Sequence, residues 1–269
     1  MTETAQSTEE SVRLKLTIAY VGTHYHGWQI QAVPGGELTT VQGLLEQAAS
    51  HVAGRPVHVH GSGRTDSGVH ADAQVAHVDI PACRRSVDWQ LALNTLLPSD
   101  IRIARAEEAP AGFHAQFSAK RKRYVYRLWL SRRYTPPKLY PFVWSCGPVN
   151  VSAMSEAARC LEGEHDFASL KNQGTEMLST VRTMYAVRCM PEGLSGICEG
   201  EQEIAWSFEA NGFLKQMVRN AMGLLVAVGR GKIDPQDVPQ LLQSRDRRHL
   251  GATAPAKGLT LAAVDYLDA

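Results

Sequence analysis

The sequence predicts an α+β protein made of two ferredoxin-like halves of β-α-β-β-α-β order, which share one antiparallel-rich sheet with a central cleft. Short segments in which apolar and polar residues alternate are typical of half-buried strands. Between them lie segments in which apolar residues recur every three or four positions, as on one face of a helix. Because the second part of the chain repeats the order of the first, we place the halves at 12–108 and 109–269. The polar, acidic tail at 1–11 is expected to be disordered.

The first half contains all six elements of the predicted order. Thr39 and Gln42 form a capping-box pair before the first helix, and Gly54 ends it. The second helix begins at Ser86 and ends before Pro98. Strands are predicted at 12–19, 57–60, 74–80 and 101–106, and helices at 41–52 and 86–97.

The second half repeats this order with one long interruption. A helical stripe of apolar residues is closed by Gly229, and a short helix follows Asp234 and Pro235. Residues 163–180 are polar, and connections of that length are usually functional or mobile. Strands are predicted at 123–130, 181–190, 203–210 and 260–266, and the longer helices at 151–161 and 214–228.

The composition is that of an ordinary soluble protein. Of the 269 residues, 44% are hydrophobic and 20% are charged, and the formal net charge is +1. No apolar run approaches the roughly 18 residues of a membrane span, and the polar start does not resemble a signal peptide. The five cysteines form no C-x-x-C pair, which favours reduced thiols. We therefore expect a cytoplasmic protein without membrane attachment.

A glycine-rich loop at 61–71 is the strongest local signal. Its three glycines within eight residues allow tight backbone conformations, and it carries Arg64 and Asp66 between two predicted strands. Rigidly supported loops of this kind commonly carry function, although Asp66 could equally be an ordinary turn residue.

Three familiar glycine-loop chemistries do not fit this loop well. It lacks the Lys-Ser/Thr ending of a phosphate-binding loop, and its glycine spacing is not that of a dinucleotide site. Asp66-Ser67-Gly68 matches the Asp-Ser-Gly of aspartic proteases, which need two carboxylates. Because no second such motif occurs, only a symmetric dimer could supply the other aspartate.

A basic, aromatic stretch lies between Ala109 and Ser155, where the chain has no Asp or Glu. Cations for phosphates and planar rings for unstacked bases together favour an RNA-binding surface. The alternative is a solvated strand whose aromatic residues lie in the core. The stretch contains Lys120, Arg121, Lys122, Arg123, Arg127, Arg132, Arg133 and Lys138, interleaved with nine Phe, Tyr and Trp residues.

The histidines require a metal site to be considered. His58 and His60 share a strand face, and His24 and His26 lie in one turn. Neither pair belongs to a set with zinc-ligand spacing, so we predict no metal site.

The loop G-R-T-D-S-G-V-H-A at 63–71 resembles the G-R-T-D-x-G-V-H-A signature of the TruA-type tRNA pseudouridine synthase family. The departures are Val21, where the family often has Asp, and Leu170, where it often has Phe. Further similar motifs follow in the family's order: Y-H-G-W-Q at 25–29, V-Q at 41–42, L-L-P-S-D-I at 96–101, F-S-A at 117–119, R-Y-V-Y at 123–126, H-D-F at 165–167, M-V-R-N at 217–220 and A-P-A-K-G-L at 254–259.

The resemblance implies an isomerase that converts uridine to pseudouridine at positions 38, 39 and 40 of the tRNA anticodon stem-loop, without a cofactor. It makes Asp66 the catalytic carboxylate, and it implies a homodimer that binds tRNA. Arg64 would keep Asp66 ionised and help to place the flipped nucleotide. Tyr124 would stack near the target base, and Arg219 would supply a cation from the second half.

Two alternatives from other functional classes remain open. A catalytically silent RNA-binding protein could use the same basic, aromatic cleft, although the intact Asp66 argues against this. A dimeric aspartic protease would leave the basic stretch and most of the motifs unexplained.

Overall fold

A large, mostly antiparallel sheet with helices packed against it dominates the architecture. The computed structural model describes residues 10–33, 36–172, 178–195 and 202–266. The strands are β1 (Ser11–Tyr20), β2 (Ala32–Val33), β3 (Gly36–Glu37), β4 (Val59–Gly61), β5 (His70–Pro81), β6 (Ile101–Glu108), β7 (Arg121–Trp129), β8 (Trp144–Ser145), β9 (Gly163–Asp166), β10 (Val181–Ser195), β11 (Gln202–Ala210) and β12 (Leu259–Asp265). The α-helices are α1 (Val41–Ala53), α2 (Trp89–Leu96), α3 (Val151–Arg159), α4 (Met217–Gly229) and α5 (Val238–Gln243).

The strand order confirms an antiparallel-rich sheet in a mixed α and β protein. Within the described residues, the sheet runs β6-β1-β5-β12-β7-β11-β10-β9, with β4 paired to β5 and β8 paired to β7. The β5–β12 and β7–β8 pairs are parallel, and the other neighbours in this sheet are antiparallel. Strands from the first part of the chain therefore lie on one side of the sheet and strands from the second part on the other.

The junction between the two sides lies along one edge of β5. β4 pairs with the later part of this edge, where Gly61 lies opposite Ala76. β12 pairs with the earlier part, where Thr260 lies opposite His70. The chain between β4 and β5 is therefore a loop that leaves the sheet where β4 pairs with β5 and re-enters it where β12 pairs with β5.

The first and third strands of the sequence prediction exist but start earlier than predicted. In β1 the apolar residues Leu14, Leu16 and Ile18 are buried, as the alternating pattern indicates. β1 begins at Ser11, and residues 1–9 of the predicted tail lie outside the described residues. β5 begins at His70 rather than at 74, because β12 supplies a partner strand that no local pattern can indicate.

The start of α1 corrects a predicted cap. Thr40, not Thr39, is the N-cap, and its hydroxyl accepts a hydrogen bond of 3.3 Å from the Gly43 N–H. The Gln42 side chain is occupied elsewhere, donating to the Val59 carbonyl at 3.0 Å. The predicted end is confirmed, since Gly54 adopts a φ of +74° that favours glycine.

Two other predicted helix starts also differ from the observed ones. α2 begins at Trp89 instead of Ser86, because the Asp88 carboxylate accepts a hydrogen bond of 3.0 Å from the Leu91 N–H and caps the helix there. α4 begins at Met217, directly after Gln216 in a left-handed conformation. The predicted connection at 163–180 contains β9 and a short 3-10 turn, and its residues 173–177 lie outside the described residues.

The main core lies between the sheet and four of its helices. Leu45 of α1, Leu93 of α2, Met154 of α3 and Leu224 of α4 are fully buried in one continuous cluster with the strand side chains. A smaller cluster lies on the opposite side of β5, where Val75, Phe113 and Ala115 pack together. None of the helices in the described residues has the length and apolar character needed to cross a bilayer.

Candidate active site

The loop that carries Asp66 lies at the junction between the two sides of the sheet. It leaves β4 at Gly61 and enters β5 at His70, where β12 pairs with β5. The Val69 N–H donates to the Asp66 carbonyl at 3.1 Å and closes a tight turn within the loop. This position brings one carboxylate close to elements from both parts of the chain.

The segment 20–28 holds this loop in place. The hydroxyls of Tyr20 and Thr65 share a buried hydrogen bond of 2.8 Å, and the Trp28 N–H donates to the Thr65 carbonyl at 3.1 Å. Gly27 has a φ of +87°, and a Cβ there would lie only 2.6 Å from the Thr65 carbonyl oxygen. The backbone beside Asp66 is therefore fixed by contacts that leave no room for a larger residue at Gly27.

Asp66 forms an ion pair with Arg219 in the first turn of α4. Arg219 Nη1 donates to Asp66 Oδ2 at 3.0 Å, and Arg219 Nε donates to the Ala254 carbonyl at 2.9 Å. The Ala254 N–H in turn donates to the Arg219 carbonyl at 3.1 Å. The two charged side chains are only 22% and 15% exposed, so the pair is partly shielded from water.

Arg64 does not take the position predicted for it beside the Asp66 carboxylate. Its side chain is exposed on the loop, and the ion pair of Asp66 is made with Arg219. Among the described residues, the ion pair of Asp66 is therefore made with Arg219 and not with Arg64. Thr65, between them, is buried against Tyr20, which anchors the loop at this point.

Tyr124 lies in the buried wall of the site. Its ring meets Phe213 edge to face, with 5.1 Å between the ring centroids. Burial raises the pKa of the Tyr124 hydroxyl well above its usual range, with smaller contributions from Tyr20 and Asp66. This hydroxyl therefore remains protonated near neutral pH and can donate a hydrogen bond.

Lys122 is a site residue that the sequence analysis included only in the basic stretch. Its Nζ donates to the Ser62 carbonyl in the Asp66 loop at 2.6 Å. The alternation of side chains along a strand indicates that Lys122 lies on the same face as Tyr124, because the two residues are two positions apart.

Comparison with known proteins identifies the family. The sequence profile described as tRNA pseudouridine synthase matches residues 16–118 and 157–267, which include Arg64, Asp66 and Arg219. The chain belongs to the tRNA pseudouridine synthase family. Members of this family are isomerases, and Tyr124 lies outside the two matched ranges.

Several curated bacterial proteins are similar to this family member over almost its whole length. "tRNA pseudouridine synthase A" of Lawsonia intracellularis is 54% identical over 257 residues, covering 94% of this chain and 99% of that protein. The protein of the same name from Nitratidesulfovibrio vulgaris Miyazaki F is 52% identical, with 94% and 99% covered. That of Geobacillus kaustophilus is 42% identical, with 95% of each chain covered.

The basic stretch of this synthase-family chain is divided between ion pairs and exposed positions. Arg121 pairs with Glu209 and Arg127 with Glu203, each at 2.5 Å, so these two cations are neutralised within the sheet. Among the aromatic residues, some belong to the core and others to the surface. Tyr126 and Trp129 are buried, whereas Phe117 and Tyr140 are exposed.

Three of the histidines, on β4, β5 and the segment after β6, form a cluster in which one pair of rings is stacked and another meets edge to face. The ring centroids of His60 and His77 are 4.9 Å apart, and those of His77 and His114 are 4.6 Å apart. In the described part of the chain, no three His, Cys, Asp or Glu side chains converge in a way that could hold a metal ion.

Proposed function

We propose that the chain isomerises uridine to pseudouridine at positions 38, 39 and 40 of the tRNA anticodon stem-loop, with Asp66 as the catalytic carboxylate. The observation that carries this proposal is the partly buried Asp66–Arg219 pair on a rigid loop at the junction of the sheet. Membership of the family supplies the class of reaction. The anticodon positions follow from the resemblance of the loop signature and its companion motifs.

The reaction exchanges one glycosidic bond for another. The bond between ribose C1′ and uracil N1 breaks, the uracil turns, and a bond between C1′ and C5 forms. The hydrogen on C5 leaves to water, and N1 gains a proton, so atoms and charge balance. A carboxylate can attack the ribose or the base as a nucleophile, or remove a proton from the sugar, and each route requires an ionised Asp66.

The other proposed site residues have distinct tasks. We assign to Arg219 the task of holding the Asp66 carboxylate in one orientation. Its Nη1 donates to Asp66 Oδ2 at 3.0 Å, and its Nε donates to the Ala254 carbonyl at 2.9 Å. Tyr124 would contact the target base through its protonated hydroxyl or its ring. The exposed Arg64 would bind the nucleotide from the solvent side of the loop, a task that suits a planar cation.

We also propose that residues 12–108 and 109–269 are two ferredoxin-like units. The strand orders β6-β1-β5-β4 and β12-β7-β11-β10 support this, because each places the fourth, first, third and second strands of a unit side by side. In each unit a helix follows the first strand and another follows the third. A cytoplasmic homodimer that binds tRNA completes the proposal and rests on the family resemblance.

Release of tritium from uracil C5 tests the proposed reaction. Transcripts of tRNA labelled at C5 should release tritium when incubated with the protein, and cytidine at positions 38, 39 and 40 should abolish the release. Binding of tRNA without any release would instead support a silent RNA-binding protein. Release that persists after the substitutions would show that other uridines are the targets.

A further inference from the structure

Two basic side chains, one of which contacts the Asp66 loop, have no carboxylate partner among the residues that the structure describes. Lys122 Nζ donates to the Ser62 carbonyl at 2.6 Å. Arg182, near the start of β10, donates from Nη1 to the Val181 carbonyl at 2.6 Å. Both therefore meet neutral acceptors, whereas Arg121, next to Lys122 in sequence, pairs with Glu209. Within the described residues, no carboxylate therefore neutralises either cation.

The strand register places both cations on one face of the sheet. Lys122 of β7 lies opposite Ala210 of β11, which lies opposite Met184 of β10. Arg182 is two residues from Met184 and so projects from the same face. Tyr124 is two residues from Lys122 and shares that face as well. The cations therefore lie on the side of the sheet that carries the wall of the active site.

The charge of Arg182 acts on Lys122, and each of the two cations has a glycine beside it. Burial and the charge of Arg182 together lower the pKa of Lys122 to about 8, and burial lowers the pKa of Arg182. A Cβ at Gly63 would lie 2.9 Å from Lys122 Nζ, and one at Gly212 would lie 3.6 Å from Arg182 Nε. Because both positions are glycine, no side chain covers either cation there.

We propose that Lys122 and Arg182 form a subsite for one phosphate of the RNA backbone next to the uridine that meets Asp66. The subsite deepens the proposed function, because it assumes that RNA enters the site at Asp66. Two cations of like charge that are partly withdrawn from water favour an anion between them. An RNA phosphate carries one negative charge, and contacts of this kind set the position of a nucleotide rather than its identity.

A chemical double-mutant cycle tests the contact. The anticodon stem-loop is prepared with a neutral methylphosphonate at each phosphate near the target uridine in turn. At one position this change should weaken binding to the unaltered protein by about tenfold. It should cause a clearly smaller loss in Lys122→Gln and in Arg182→Gln, because each variant keeps only one of the two cations. If, at every position, the methylphosphonate weakened binding by the two variants as much as binding by the unaltered protein, the proposal would be overturned.

Arg123→Gln is the matched control. Arg123 is exposed, lies between Lys122 and Tyr124 in β7, and projects from the opposite face. This variant should keep the full sensitivity to the methylphosphonate. The Lys122→Gln and Arg182→Gln variants should also lower the logarithmic salt slope of binding by about 0.7, the value for one phosphate on a single strand.

Conservative variants and a second readout separate this subsite from a purely structural role. Lys122→Arg and Arg182→Lys should restore most of the binding because they keep the charge. If the Gln variants lose tritium release but keep both affinity and salt slope, the cations only support the loop and the subsite is wrong. If the unaltered protein binds the stem-loop but releases no tritium, the proposed reaction fails while the phosphate contact can still be measured.

Discussion

At the scale of single residues, the site depends on a charge pair whose partners are 153 residues apart in sequence. Asp66 is held by a loop between two strands, and Arg219 by the first turn of α4. Because both side chains are partly buried, removing one leaves the other without its counter-charge in a poorly hydrated place. Function and local stability are therefore coupled at this pair.

Asp66→Asn should keep the protein folded with a modest loss of stability, because the amide oxygen can still accept from Arg219, and should lower tritium release by about a thousandfold or more at nearly unchanged tRNA affinity. Asparagine keeps the size and turn-forming capacity of the side chain but cannot act as an anion. Single-turnover release with enzyme in excess is the measurement. Asp72→Asn, at an exposed position in β5, is the control and should retain activity. Near-normal release by Asp66→Asn would remove Asp66 from the mechanism.

His77 should make the protein less stable in mild acid. Burial lowers its pKa to about 4, helped by the charges of Arg13, His114 and His60. Since the unfolded chain has a histidine pKa of about 6.5, it binds more protons than the folded state between these values. The unfolding free energy should therefore fall as the pH drops from about 6.5 to 4, with a contribution on the order of 2 kcal/mol from this group.

Denaturant unfolding at several pH values measures this effect. His77→Gln should unfold with a flatter pH dependence over the same window, because glutamine has no proton to gain. His24→Gln, at an exposed position, should keep the original dependence. Identical pH profiles for all three proteins would contradict the assignment to His77.

At the scale of elements, α4 and the segment 252–254 act as one unit that carries Arg219. A Cβ at Gly223 would lie 2.0 Å from the Ala252 carbonyl oxygen, which is closer than atoms can approach. Ala254, two residues after Ala252, supplies the carbonyl that accepts a hydrogen bond from Arg219 Nε. The close packing of a helix on a backbone thus positions the cation beside Asp66.

Gly223→Ala should therefore destabilise the protein and reduce activity together. Replacing glycine by alanine inside a helix normally stabilises it by about 0.5–1 kcal/mol, so a loss of stability would be the signature of the clash. Thermal unfolding and tritium release are the two measurements. Gly43→Ala in α1 is the control, since the nearest atom to its Cβ is the movable Thr40 Oγ1 at 3.2 Å. A stabilised, fully active Gly223→Ala protein would contradict this account.

The sequence predicts the elements better than the contacts between them. The alternation in β1 and the stripe in α4 depend on local periods, and both elements exist close to the predicted bounds. The sequence favours Thr39 as the cap although Thr40 is the observed one, because two neighbouring threonines offer the same hydroxyl and only the path of the chain selects one.

For the candidate site, the sequence indicates single residues but not the contacts between them. The loop pattern and the family resemblance singled out Asp66, Tyr124 and Arg219 from the sequence. The resemblance implies that Arg64 acts on the Asp66 carboxylate, whereas the ion pair that the structure describes is made with Arg219 on α4. A contact between distant segments depends on how β5 and β12 meet, and no local pattern contains that information.

At the scale of the whole molecule, we expect a homodimer in solution. The net charge of +1 gives little repulsion between copies at neutral pH, so it does not oppose association. Light scattering at the concentration used for assays should give twice the mass of one chain. Full activity from a protein that scatters as a single chain would contradict the expectation, which rests on the family resemblance.

The central position of β12 has a consequence for how the protein is made. This strand is the last in the described chain, yet it fills the middle of the sheet between β5 and β7. Until β12 has been synthesised, the edges of β5 and β7 that pair with it remain unpaired. Unpaired strand edges favour aggregation. Ala254, which holds Arg219, is also added late. Nascent chains should therefore remain inactive and dependent on chaperones until β12 has been synthesised.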